Sequence, residues 1–183
     1  MTTRLCLVRH GETAWNAERR IQGQIDVPLS AAGHAQARAT ANALAQEPFC
    51  AIYSSDLARA QHTAEAAAHL LGLPVRRHAG LRERHYGVLQ TLTYAEFERR
   101  HPQAHARFLA REEAFALPGG GESLFQFAAR VNQCIDAIVA AHTGRQVLIV
   151  THGGVLDVLH RRASGKPLSF PRDFDIPNAG LNW

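Results

Sequence analysis

The chain has 183 residues, 46% of them apolar, and 20 Lys and Arg against 16 Asp and Glu give it a net charge of +4 and a pI near 9.4. That length can bury one core and reads as a single domain over residues 1–183, while no apolar run approaches the roughly 18 residues of a membrane span and Met1-Thr2-Thr3-Arg4 shows no leader pattern. The expectation is a cytoplasmic protein with no membrane partner, whose basic residues, nearly all Arg and standing singly or in pairs without interleaved aromatics, favour a small anionic ligand over nucleic acid.

Leu5-Cys6-Leu7-Val8 is a short apolar run bounded by polar residues, which predicts a buried parallel strand. After a polar loop, Ser30 offers an N-cap to an Ala-rich helix running to about Gln46 and closed by Pro48. The next strand is Cys50-Ala51-Ile52-Tyr53; Ser54-Ser55-Asp56 then supplies capping side chains for a helix to about Leu71, with Gly72 and Pro74 as stop signals. Val75-Arg76-Arg77 is a weaker strand. Thr93-x-x-Glu96 and Ser123-x-x-Gln126 are capping-box patterns that start two more helices, the first broken near Pro102 and the second reaching about His142. Leu117-Pro118-Gly119-Gly120-Gly121 between them must be a loop. Val147-Leu148-Ile149-Val150 predicts a strand leading into a helix over Val155 to Ala163, and Ala179 to Trp183 begins like another strand, either very short or cut off. Strands alternating with helices give an α/β fold, a three-layer sandwich whose mostly parallel sheet is flanked by helices. Cys6, Cys50 and Cys134 are odd in number, widely spaced and set in apolar segments, which fits buried free thiols.

Two motifs stand at strand ends: Arg9-His10-Gly11 after the first strand and Thr151-His152-Gly153-Gly154 after the one at 147–150. Ligands of open α/β sheets bind at that carboxyl edge, so residues remote in sequence could converge there. His10 is the candidate nucleophile, because a neutral imidazole can attack phosphorus once its other nitrogen donates to a backbone carbonyl. Transfer of a phosphoryl group is mostly positioning and charge stabilisation, for which Arg9, Arg59 and His152 are the candidate clamps; Arg59 falls in the first turns of a helix, and Gly11 lets the backbone come close to the anion. Glu83 could protonate a leaving alkoxide and then deprotonate water, against the bland reading of a solvated partner for Arg82 or Arg84. Asp26 and Glu122 are weaker candidates for that role: Asp26 reads better as a loop anchor, and Glu122 serves equally well as a cap on the helix at Ser123. His101 and His105 stand four apart, yet no carboxylate or third ligand recurs at a diagnostic spacing, so no metal site is expected.

Taken in order, Arg9-His10-Gly11-Glu12-Thr13-x-Trp15-Asn16, Gln22-Gly23-x-x-Asp26-x-Pro28-Leu29-Ser30-x-x-Gly33, Ser54-Ser55-Asp56-Leu57-x-Arg59-Ala60-x-x-Thr63-Ala64, Leu81-x-Glu83-x-x-x-Gly87, Gly120-Gly121-Glu122-Ser123 and His152-Gly153-Gly154 resemble the histidine phosphatase superfamily, the phosphoglycerate-mutase-like enzymes, from residue 4 to about residue 182. The resemblance implies a phosphohistidine on His10, phosphate held by Arg9, Arg59 and His152, an acid at Glu83, and substrate contacts from Asn16, Gln22, Gly23 and Ser123, with Gly153 beside His152. Arg84 and Tyr86 in Glu83-Arg84-His85-Tyr86-Gly87 resemble the loop with which the mutases hold phosphoglycerate. The chain is shorter than typical mutases, however, and Arg99-Arg100 is a poor substitute for their later Arg-Arg insertion. The expected activity is hydrolysis of a small phosphorylated metabolite without cofactor. The alternatives are a mutase, which would need 2,3-bisphosphoglycerate, and a non-catalytic phospho-ligand binder, which the presence of both His10 and Glu83 disfavours. A homodimer is left open.

Overall fold

The computed structural model describes residues 1–183 and alternates strands with helices. β1 (Arg4–Arg9) leads through a one-turn helix α1 (Ala14–Ala17) to α2 (Ala31–Leu44), followed by β2 (Phe49–Ser54), α3 (Ala58–Leu71) and β3 (Val75–Arg77). Two 3-10 turns, Ala79–Leu81 and Gly87–Leu89, connect to α4 (Tyr94–Arg100), α5 (Pro102–Leu109) and α6 (Leu124–Ala141). β4 (Gln146–Thr151), α7 (Gly153–Ser164) and the two-residue β5 (Leu181–Asn182) complete the order. The sheet runs β3-β2-β4-β1-β5, parallel except for β5, which pairs antiparallel with β1.

Side chains of β4 divide the interior into two cores. Val147 and Ile149 face a layer of α6 and α7 residues that includes Phe127, Val131, Ile135, Val155 and Val158. Leu148 and Val150 face the other way, onto α2 and α3 through Ala41, Leu44, Ala60, Ala64 and Ala67. Ala60, Ala64 and Ala67 recur at helical spacing and are 0 to 3% exposed, so α3 lies close on the sheet; a larger side chain there would overpack the layer, at a typical cost of about 1–3 kcal/mol. A third cluster of Ile21, Leu89, Leu92, Phe97, Ala104 and Leu117 gathers the loops and α4–α5.

Most helix starts follow the expected chemistry. Ser30 accepts from Gly33 N–H, and both capping boxes, Thr93 with Glu96 and Ser123 with Gln126, are formed. α3 differs: its N-cap is Leu57, without a side-chain cap, and the expected caps serve elsewhere. Ser55 Oγ accepts from Leu57 N–H (3.3 Å), Asp56 is bonded to Arg82, and the Ala58 N–H donates to Asp26 Oδ1 (2.8 Å), on a loop 32 residues earlier. The helix after Thr93 becomes two, divided at His101 before Pro102.

The β1–β4 register, which ends on Arg9 opposite Thr151, delivers the site. The next residue of each strand leaves the carboxyl edge, and the two residues are His10 and His152.

Candidate active site

His10 is 3% exposed, and its backbone N–H donates to Thr151 O at 2.9 Å. Its Nδ1 lies 2.7 Å from Gly11 O. A carbonyl can only accept, so Nδ1 carries the proton and Nε2 presents its lone pair. The His152 ring lies edge-on at 5.1 Å between centroids, with its Nε2 2.8 Å from Ser55 Oγ. Burial, then the Arg59 cation, hold both imidazoles well below the usual histidine pKa, with Arg9 adding to the effect. Both are therefore neutral at pH 7.

Two arginines are anchored with part of each guanidinium to spare. Arg59 is 1% exposed; its Nη1 and Nη2 donate to Ile25 O (2.8 Å) and Gly23 O (2.7 Å). Gly23 takes φ +55, and a Cβ there would meet Gln90 Oε1 at 2.3 Å, so the loop that receives Arg59 requires glycine. Arg9 Nη1 donates to Ile176 O at 2.6 Å, on the segment before β5. Arg9 Nε, Arg59 Nε and His152 Nδ1 are buried with no hydrogen-bond partner in the protein. Burial pulls the Arg59 pKa down to about 10, with Glu83 and Asp26 opposing, which still leaves it cationic. Three unmatched buried polar nitrogens, two of them on cations, suit an anion with several acceptor oxygens.

Glu83 faces the same cavity. Its Oε1 accepts from Arg84 N–H (2.8 Å) and its Oε2 from Gly154 N–H (2.9 Å). A Cβ at position 154 would stand 2.1 Å from Glu83 Oε1, so the second glycine of the motif makes room for this carboxylate. The bland reading of Glu83 fails because Arg82 is paired with Asp56 at 2.6 Å and the Arg84 guanidinium donates to Glu122 O.

The cavity encloses about 270 Å³. Of the residues singled out in the sequence, Arg9, His10, Asn16, Gln22, Gly23, Arg59, Glu83, Tyr86 and Gly153 line it; His152 is not among the lining residues, but its ring lies 5.1 Å from that of His10. Arg84, Ser123 and Gly11 do not line it. Arg84 is 5% exposed and joins its loop to the chain at Glu122; Ser123 Oγ caps α6; Gly11 donates its N–H to Thr63 Oγ1 (3.0 Å) and packs where a Cβ would meet Gly33 O at 2.5 Å. Gly11 is thus required by its neighbour Gly33 rather than by close approach of an anion. At the start of α3 the Leu57 and Ala58 N–H groups are likewise committed, to Ser55 and Asp26, and Arg59 lines the cavity. Trp15, Arg19, Arg20, Ile21 and Tyr94 line the cavity without having been singled out as site residues. Trp15 stood beside Asn16 in the motif and Arg19-Arg20 were visible as a pair, but Tyr94 carried no signal beyond following a helix cap. Burial, then Glu83, raise the pKa of Tyr86 and Tyr94, so both keep their phenolic protons at neutral pH. His105 packs edge-on against Phe97 at 4.9 Å, and no three His, Cys, Asp or Glu side chains gather where an ion could be held. Glu122 does not cap α6; it pairs with Arg130.

Fold and site define a class, the α/β enzymes that act on phosphorylated compounds. The chain matches the model of the histidine phosphatase superfamily (branch 1) over residues 5–183 and belongs to that superfamily. It is 44% identical over 161 residues to phosphoglycerate mutase-like protein 4 of Arabidopsis thaliana, covering 87% of this chain and 70% of the relative. It is also 44% identical over 162 residues to the metal-independent phosphoserine phosphatase of the same plant, covering 87% and 68%. The structure of a mycobacterial glucosyl-3-phosphoglycerate phosphatase with VO3 superposes with a TM-score of 0.86 at 37% identity, covering 97% of this chain and 88% of that one. The chain is accordingly a phosphoric monoester hydrolase, and the mutase alternative is not favoured. No helix is long and apolar enough to cross a membrane.

Proposed function

We propose that the protein hydrolyses small phosphomonoesters in two steps through a phosphohistidine on His10, without a metal ion. Nε2 of the neutral His10 attacks phosphorus and the ester oxygen departs, taking the proton of Glu83; water then attacks the phosphohistidine, gives its proton to Glu83 and releases inorganic phosphate. Arg9, Arg59 and His152 hold the phosphoryl oxygens as charge spreads over them. The observation that carries this reading is the set of buried, unpartnered nitrogens, Arg9 Nε, Arg59 Nε and His152 Nδ1, around a histidine whose tautomer leaves Nε2 free. Anchored guanidinium groups already placed before the substrate arrives need no reorganisation, and they supply the charge that a divalent ion supplies elsewhere. A metal-independent phosphatase among the relatives is consistent with this chemistry.

The substrate reading is a small phosphorylated metabolite, with phosphoserine and glucosyl-3-phosphoglycerate, taken from the relatives' names, as the first two to try. Trp15, Tyr86 and Tyr94 are the aromatic residues among the cavity lining and would pack against the alcohol.

The acid role is tested by Glu83→Gln. An alkyl phosphate, whose leaving group is a strong base, should lose roughly 10²- to 10⁴-fold in kcat/KM, while p-nitrophenyl phosphate should lose far less. Equal losses on both would remove Glu83 from the mechanism.

A further inference from the structure

A general acid must be held to within a fraction of an ångström, yet Glu83 lies outside every helix and strand, between the 3-10 turns at Ala79–Leu81 and Gly87–Leu89. One side chain on α6 fastens this stretch. Arg130 Nε and Nη2 donate to the two oxygens of Glu122 (both 2.8 Å); Nη1 donates to Gly80 O and Arg82 O (both 3.0 Å), and Nη2 also to Glu83 O (3.2 Å). All five N–H bonds of the guanidinium are thereby used. Glu122 extends the grip, its Oε2 accepting from His85 N–H (2.8 Å) and its carbonyl from Arg84 Nε (3.0 Å). Burial alone would raise the Glu122 pKa, but the Arg130 and His85 hydrogen bonds bring it below the usual carboxylate value, so the pair is ionic at neutral pH.

Arg130 does not line the catalytic cavity; it lines a separate hollow with Gly80, Arg82, His85 and Glu122. Its hydrogen bonds reach the reaction through the backbone that they hold, while its charge adds only the last and smallest contribution to the lowered His152 pKa. From this arrangement we propose that Arg130, oriented by Glu122, is the positioning residue for the catalytic carboxyl: it holds the carbonyls of residues 80, 82 and 83 so that Glu83 meets the Gly154 N–H at one end and the leaving oxygen at the other. A planar five-donor fork is needed for this, because three carbonyls and a carboxylate are served at once; the three tetrahedral donors of a lysine cannot reproduce the pattern. The inference rests on the acid role of Glu83 proposed above.

The test compares Arg130→Met, Arg130→Lys, Glu83→Gln and the double variant Arg130→Met/Glu83→Gln on glycerol phosphate and p-nitrophenyl phosphate. Arg130→Met should lower kcat on glycerol phosphate by roughly 10- to 100-fold with KM little changed, and on p-nitrophenyl phosphate by only a few-fold, the pattern of a displaced acid. Arg130→Lys should recover little of that loss. Added to Glu83→Gln, Arg130→Met should cost almost nothing more, because both act through one carboxyl. Should Arg130→Met not fold, Glu122→Gln, which leaves the three carbonyl contacts in place, should show the same leaving-group selectivity in smaller measure. Equal slowing of both substrates, full recovery with lysine, or a loss that multiplies that of Glu83→Gln would overturn the inference while leaving the Glu83 reading intact. An unselective Glu83→Gln would bring down both.

Discussion

Gly153 and Gly154 differ in what a methyl group would meet, and that difference is a test of the site. At Gly154 an added Cβ would lie 2.1 Å from Glu83 Oε1, whereas at Gly153 the nearest atom is Arg9 Nε at 3.5 Å, an ordinary contact. In Gly154→Ala the carboxylate must retreat by about 1 Å, and a displacement of that size at a catalytic group can cost roughly 10²-fold. The hydrogen bond from Gly154 N–H to Oε2, 2.9 Å long, would be weakened in the same movement. The obstructing atom is the far end of a flexible side chain, and Ala is a better helix former than Gly by about 0.8–1.0 kcal/mol, so the fold should survive. Steady-state kinetics on an alkyl phosphate should therefore show a loss of roughly 10²-fold for Gly154→Ala and only a few-fold for Gly153→Ala, with melting temperatures not lowered in either variant. On p-nitrophenyl phosphate the two variants should nearly coincide. Equal losses at the two positions, or a Gly154→Ala enzyme as fast as the parent on the alkyl ester, would refute the placement of Glu83.

His10 and His152 both have pKa values well below the ordinary one, so above pH ~6.5 neither folded nor unfolded chain binds a proton there, and below it the unfolded chain protonates first. Stability should fall as pH drops from 6.5, by up to about 1.4 kcal/mol per pH unit for each histidine, and urea denaturation at pH 7.5, 6.5 and 5.5 with His10→Gln as comparison should show roughly half the slope in the variant; identical slopes would contradict the burial argument. Asp26→Ala removes the acceptor of the Ala58 N–H and should lower the unfolding free energy by about 1 kcal/mol, with an unchanged urea midpoint as the contrary result. Excess chelator should leave phosphatase activity unchanged; activity lost to chelator and restored by a divalent ion would overturn the metal-free mechanism.

The parallel core was legible because its strands are short, apolar and followed by capping residues, and because His10 and His152 stand one residue beyond two of them. What was hidden lies in contacts between distant segments. α1 is one turn long and its box closes on Asn16, so it has neither apolar period nor a Glu or Gln signal. α3 is capped by Asp26 from another loop, while the serines and aspartate beside it are bonded elsewhere. Arg84 and Ser123 were expected at the substrate, but a motif records residue identity, not direction: Arg84 turns to the carbonyl of Glu122, 38 positions on, and Ser123 to the Gln126 N–H of its own helix. Nothing in the order of residues links Arg130 to Glu83, 47 positions away, since their meeting depends on how α6 lies across the sheet.

The covalent intermediate is the central claim, and rapid-quench labelling under basic conditions reaches it most directly. The protein is mixed with a 32P-labelled phosphomonoester for milliseconds, denatured in base to preserve phosphohistidine, and mapped by peptide mass spectrometry. Label should appear on His10 alone, vanish on acid treatment, be absent from His10→Ala, and accumulate in Glu83→Gln where hydrolysis by water is slowed. Turnover with no labelled His10 at any time, or turnover surviving in His10→Ala, would contradict it.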